Sequence, residues 1–312
     1  MQFYKNRDFG ELISATFDFV KLYGRDYFKK YIILNGLIII LLMVVVFIGY
    51  GEFFSQMFGG NLGGEQFFFE DYFAENTSVF ILVSIITFIV FVLLSMVSYS
   101  FPVLYMKRIS ETEATEVSLD EMTADLKSVI PKFLIFFLGM LFIIMPIMLI
   151  VFSISMALMF ILIGFLLMIL LVPAVMNIIN FAFFHHYHTD EGFFRSISYA
   201  MNSTIGSKSF WKYWGSLAIM YILIQVITSI FSFLPMIVLG SADFFQPAGL
   251  ADESDMLIAI VVISIYAFSI VASLVLTNLV YINTGFMYYD SRKDLHRNIQ
   301  FSEIDSLGTS EV

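Results

Sequence analysis

"FLIFFLGMLFIIMPIMLIVFSISMALMFILIGFLLMILLVPAVMNIINFAFF", residues 133–184, runs for 52 residues without a charged side chain or a histidine. As a single helix it would measure about 78 Å, at about 1.5 Å per residue. The hydrocarbon core of a bilayer is only about 30 Å thick. The stretch therefore has to fold back on itself, and its most polar point, Ser153–Ser155, is the predicted turn. It supplies two membrane spans.

Working outward, Tyr31–Tyr50, Val79–Met106, Lys212–Leu239 and Met256–Tyr281 are further apolar runs of spanning length,. The total is six. Composition agrees: 59% of the 312 residues are hydrophobic and 13% charged, with a mean hydropathy of +0.88. Soluble domains carry about twice that share of charge. The 37 Phe and 18 Met suit a surface of large, soft side chains against lipid,. The absence of cysteine excludes disulfides, thiolate metal sites and a cysteine nucleophile,. The first thirty residues are charged throughout and lack an early apolar core, so no cleavable signal is expected there.

Cations set the predicted orientation. All 16 Lys and Arg fall in residues 1–30, 107–132, 185–212 and 285–312. The intervening loops, 51–78 and 241–256, hold none of them and nine carboxylates. Basic residues remain on the cytoplasmic side of a membrane, so six spans with both termini cytoplasmic are predicted. The same cytoplasmic segments carry 17 acidic residues against their 16 basic ones, hence no basic field for nucleic acid,.

Each pair of spans follows a segment with apolar residues every three or four positions. These are Phe9, Leu12, Ile13, Phe17, Val20 and Tyr23; then Leu119, Met122, Leu126, Val129 and Ile130; then Phe194, Ile197, Met201 and Ile205. Such stripes predict amphipathic helices lying along the membrane interface. The expected fold is thus an all-α integral membrane protein, with six transmembrane helices in three hairpins, each preceded by an interfacial amphipathic helix. One membrane domain, residues 1–290, would contain repeats at 8–108, 117–188 and 193–290, followed by a cytoplasmic tail at 291–312.

Two clusters are candidate sites. "FAFFHHYHTDEG" (181–192) places His185 and His188 one helical turn apart, with Glu191 three residues further, a spacing at which a metal or a proton could be shared. The alternative is anchoring, because "FPVLYMKR" (101–108) and "TGFMYYDSR" (284–292) end the other return spans with the same mix of aromatic and polar groups, typical of headgroup level. Inside the spans the polarity is uncharged. Asn35, Asn177, Asn180 and Asn278 are predicted to form a hydrogen-bonded layer between helices or a shallow polar pocket. No Asp, Glu, Lys, Arg or His falls in a span interior, which argues against ion-coupled transport. Pro146, Pro173 and Pro235 are expected to bend their helices. The phenylalanines and carboxylates of loop 51–78 suggest an outer surface for headgroups or a partner.

"EGFFRSISYAMNSTIGSKSFWKYWGSLAIMYILI" (191–224) resembles the membrane domain attached to some bacterial glycerophosphoryl diester phosphodiesterases and that domain's stand-alone relatives. "DFGELISATFDFVKLYGRDYFKKYIILN" (8–35) resembles the start of the stand-alone proteins. The resemblance implies a helical module of the bacterial cytoplasmic membrane that works beside partners, the chemistry of the fused members belonging to a separate soluble barrel. No catalytic residue and no cofactor are implied. The expected function is that of a non-enzymatic scaffold or accessory subunit for envelope or lipid-related partners. The alternatives are a permease or channel for an uncharged or amphiphilic solute, and a membrane-embedded metal-dependent hydrolase at His185, His188 and Glu191. Membrane lipid is the expected partner, with membrane or cytoplasmic proteins as further candidates; oligomeric state is not set by these features.

Overall fold

A computed structural model describes residues 1–58, 68–112, 116–245 and 251–292. Side chains at 46–58, 68–76, 238–245 and 251–263, and at 232, 235, 236 and 266, are outside that description. So residues 59–67 and 246–250 of the predicted loops, most of those loops' side chains, the side chain of Pro235 and the tail from residue 293 lie outside the described residues.

Every element among the described residues is helical: α1 (Phe9–Phe58), α2 (Phe68–Thr112), α3 (Leu119–Ser128), α4 (Ile130–Gly139), α5 (Met145–Ala157), α6 (Ile163–His188), α7 (Phe193–Thr204), α8 (Phe210–Phe245) and α9 (Ala251–Ser291). Six stretches are long and apolar enough to cross a bilayer: Phe9–Val45, Thr77–Thr112, Ile130–Ile161, Ile163–His188, Phe210–Phe231 and Ala267–Ser291.

The chain divides into two compact units, one of residues 28–99 and one of residues 1–27 with 100–312. In the smaller unit, α1 and α2 are tied by polar side chains. The Tyr31 hydroxyl donates to Ser98 Oγ at 3.3 Å, Ser98 donates to Asn35 Oδ1 at 3.0 Å, and Asn35 Nδ2 donates to the Tyr31 carbonyl at 3.1 Å.

In the larger unit, α8 and α9 run antiparallel. Tyr213 meets Asp290, Ser216 meets Asn283, and Phe231 meets Phe268. The uncharged stretch does fold back, but at residues 158–163 and not at Ser153–Ser155. A 3₁₀ turn, Leu158–Ile161, is followed by Leu162 in the left-handed region at φ 63° and by Gly164. A Cβ on Gly164 would strike the Ser155 carbonyl and the Met159 nitrogen, so glycine is what permits the return helix to pass so close. The two serines instead direct their hydroxyls to Leu149 and Val151 carbonyls and stay within the helix.

Pro146 and Pro173 sit differently in their helices. A π-helical turn, Met140–Ile144, leads into Pro146 and accommodates its missing N–H,. α6 continues through Pro173, and in the turn before it the Leu170 carbonyl accepts the Trp214 indole N–H at 2.9 Å.

The three amphipathic segments differ from one another. The first is no separate helix: α1 continues from Phe9 into the apolar run, since nothing between Tyr23 and Tyr31 interrupts the ladder except Gly24, which a helix tolerates,. Its buried stripe is Leu12, Ala15, Phe19, Tyr23 and Tyr27. In α3, started by a Ser118–Glu121 capping box, the apolar residues Met122 and Leu126 face inward,. In α7 the buried face is Phe193, Ser196, Ala200 and Thr204, and the apolar stripe points outward.

Substitution at the turn tests this account. Gly164→Ala drives a methyl into backbone that cannot give way, and a loss of about 1–3 kcal/mol is expected for such overpacking. Leu162→Gly, which relieves a left-handed residue, should be tolerated. Thermal unfolding in detergent distinguishes them: a Gly164→Ala protein melting with the parent would contradict the turn geometry.

Candidate functional site

The densest part of the larger unit is where α1 begins and α2, α6 and α9 end. Aromatic side chains from all four meet there. Phe19 lies edge-on to Tyr27, Tyr105 and Phe286, with ring centroids 5.8, 6.2 and 6.0 Å apart. Tyr27 packs against Phe101 and Tyr105 at 5.0 Å. Phe184 and His188 both pack against Tyr288. Edge-to-face pairs of this kind add to what burial alone provides. A small residue makes the closeness possible: a Cβ on Gly285 would sit 2.5 Å from Met106 Sδ and 3.0 Å from Phe184 Cε1. "FPVLYMKR", "FAFFHHYH" and "TGFMYYD" are therefore not headgroup anchors. Phe101, Tyr105, Phe181, Phe184, Tyr187, Phe286, Tyr288 and Tyr289 are buried in protein. The visible signal was the combination of aromatics with Ala182 and Gly285, small residues that let helices approach.

Polar groups within this core connect elements. Asp290, 2% exposed, accepts the Arg7 backbone N–H at 2.6 Å, Lys212 Nζ at 2.6 Å and the Tyr213 hydroxyl at 2.5 Å. Lys212 also donates to the Arg7 carbonyl at 2.8 Å. The Arg7 guanidinium turns back onto the carbonyls of Gln2, Phe3 and Lys5 and lies 4.9 Å from the Phe286 ring centre. Burial pulls the Arg7 pKa down from its ordinary value, and the charges of Asp290 and Glu11 oppose the shift; the side chain remains a cation at any physiological pH. The N-terminal eight residues are thus fastened to α8 and α9. Nearby, Tyr105 donates to Asp26 at 2.8 Å, and Arg108 holds α3 through Asp125 at 2.8 Å and Glu121 at 3.3 Å. None of these ties was read from sequence, because partners up to 283 residues apart carry no local pattern.

The histidines are joints of the same kind. His185 Nε2 lies 3.1 Å from Glu191 Oε2, and its ring stacks on Tyr199 at 3.9 Å. His186 Nδ1 lies 2.9 Å from the Glu191 carbonyl and its Nε2 3.2 Å from the Lys132 carbonyl, and the neutral ring donates to one of the two,. His188 Nδ1 donates to the Phe184 carbonyl at 2.9 Å, so its Nε2 accepts from the Tyr289 hydroxyl at 3.0 Å,. His188 is therefore turned away from the His185–Glu191 pair, with both nitrogens occupied. Among the described residues no three His, Asp or Glu side chains are grouped to hold a metal ion.

The asparagines separate into two kinds. Asn278 accepts from Tyr27 at 2.6 Å and donates to the Leu274 carbonyl at 2.8 Å, while Asn35 is used within residues 28–99. Asn177 and Asn180, 2% and 6% exposed and one turn apart on α6, are different. Asn177 Oδ1 and Asn180 Nδ2 are buried without a hydrogen-bond partner among the described residues. Near the N-terminus, an open depression of about 340 Å³ is lined by Met1, Gln2, Lys5, Arg7, Glu11 and Asp18, with Lys5 and Glu11 paired at 2.8 Å.

Comparison with protein-family models, with curated proteins and with solved structures found no match to this chain.

Removing the Asp290 carboxylate tests the latch. Asp290→Ala leaves Lys212 without its buried partner, a loss of about 3–5 kcal/mol for such a pair. It also frees the N-terminal segment, so trypsin should cut after Arg7 in the variant well before it cuts the parent. Equal cleavage of both would show that Asp290 does not hold the segment.

Proposed function

We propose that this chain is a six-span integral membrane protein of three hairpins, with both termini cytoplasmic, that serves as a non-enzymatic platform or accessory subunit for lipid-related envelope partners. The observation that supports this most is how its ionisable side chains are used. Asp290 with Lys212, Asp26 with Tyr105, Arg108 with Asp125, His186 with Lys132 and His188 with Tyr289 each join separate segments of the chain. Polar groups committed to joints stiffen a scaffold. The positive-inside pattern supports the orientation. The resemblance of 8–35 and 191–224 to the membrane domain of bacterial glycerophosphoryl diester phosphodiesterases supports a bacterial cytoplasmic membrane location and work beside a separately folded enzyme.

Purification in mild detergent from the native membrane tests the platform reading. Defined proteins or lipids retained in fixed ratio are expected. A strictly solitary protein that shows no lipid preference would count against it.

A second reading, passage of an uncharged or amphiphilic solute, is favoured by the unpartnered Asn177 Oδ1 and Asn180 Nδ2. It expects proteoliposomes of the parent to pass such a solute and Asn177→Ala to abolish the flux while the protein remains folded. Asn278→Ala is the less informative variant, because it also removes the tie to Tyr27. A parent that moves no candidate solute would leave the platform reading alone.

A further inference from the structure

The outward face of α7 and the turn that follows it combine exposed apolar side chains with cations. Phe194 is 71% exposed, Met201 49%, Ile205 52% and, at the start of α8, Trp211 66%. Water would charge heavily for such a surface, and the helix buries its small and polar residues in preference to these,. Arg195 and Lys208 stand among them, both exposed and neither in an ion pair among the described residues. From residue 193 to residue 242 the chain contains no Asp or Glu. The two carboxylates just before α7 are engaged elsewhere, Asp190 with Lys132 at 3.3 Å and Glu191 with His185 at 3.1 Å. Lys212, the remaining cation of the segment, belongs to Asp290.

The contrast with α3 sharpens the point. That helix turns Met122 and Leu126 inward, and its outer positions include Asp120 and Glu121. A face that combines exposed phenylalanine, methionine and isoleucine with free cations and an exposed tryptophan suits a bilayer surface of net negative charge: acyl chains take the apolar stripe, and phosphate groups take Arg195 and Lys208. We infer that α7 with the turn to Trp211 is a binding surface for anionic phospholipid in the leaflet at that end of the spans. This rests on the membrane reading above and names the lipid class. It does not depend on whether a protein partner exists.

The chain's two tryptophans supply the probe. Trp214 donates its indole to the Leu170 carbonyl, whereas Trp211 lies at the edge of the proposed surface. The full-length Trp214→Phe protein, which keeps Trp211 as its only indole, is reconstituted in vesicles of phosphatidylcholine mixed with phosphatidylglycerol, with bromine on the acyl chains of one lipid or the other. A basic residue beside an anionic surface contributes about 1 kcal/mol, roughly a fivefold preference. Brominated phosphatidylglycerol should therefore quench Trp211 several-fold more effectively than brominated phosphatidylcholine at equal content. The excess should shrink in high salt, where screening shortens the reach of both cations. It should disappear in Arg195→Gln/Lys208→Gln, which leaves the phosphatidylcholine quenching unchanged because the apolar stripe is intact. Equal quenching by the two lipids in the parent cation background, or an excess that survives the double substitution, overturns the anionic selectivity. No quenching by either lipid overturns the lipid contact itself and leaves the face to a protein. A protein retained in the purification experiment above alters none of these outcomes, so the two proposals fail separately.

Discussion

A helix in hydrocarbon gains nothing by hiding leucine from its surroundings, since the surroundings are as apolar as the side chain. Apolar helices of spanning length therefore need another reason to stay together. In this protein the reason is concentrated at one end of the larger unit. There Asp290 draws Arg7, Lys212 and Tyr213 to a single buried carboxylate. Around it, tyrosine and phenylalanine rings from α1, α2, α6 and α9 close over Gly285. Away from this end the spans present isoleucine, leucine and phenylalanine outward, as at Ile147, Leu149, Phe160, Leu166 and Ile222. The larger unit is held at this polar end and presents apolar side chains elsewhere on its spans.

That division explains why histidine is used where it is. An imidazole offers one donor and one acceptor on a flat ring that also stacks, so it can satisfy a carbonyl and a hydroxyl together in a crowded aromatic layer. His188 does so, and His186 sits between two carbonyls, to one of which its neutral ring donates,. The cluster that suggested metal chemistry is a set of connectors between α6, α7, α4 and α9. The same logic leaves Asn177 and Asn180 as an exception. A buried amide atom without a partner costs free energy, and Asn177 Oδ1 and Asn180 Nδ2 are two such atoms one turn apart on α6.

The short helices share a pattern but not an orientation. Periodicity in sequence says that one face of a helix is apolar; it does not say whether that face meets protein or lipid. α3 turns it to protein and α7 turns it away. The choice follows from what lies opposite. α7 packs through Ser196, Ala200 and Thr204, whose small side chains permit close approach, while Phe193 fills the space over Gly139, where a Cβ would come within 2.6 Å of its ring.

Residues 133–184 by themselves determined that the chain must double back, because no bilayer accommodates a helix of that length, and the apolar runs around them determined six helices long enough to cross. Proline and glycine shaped the rest of the local path, but the return at Leu162 and Gly164 was less legible than two serines that in the event bond within their helix. The span-end motifs were visible as aromatic sequences, although burial reversed their expected place at the surface. Only tertiary structure decided the joints: Asp290 with Arg7, Tyr27 with Asn278, His188 with Tyr289. A hydrogen bond between residues a hundred or more positions apart has no period and no motif, because it is specified by the packing that brings its ends together.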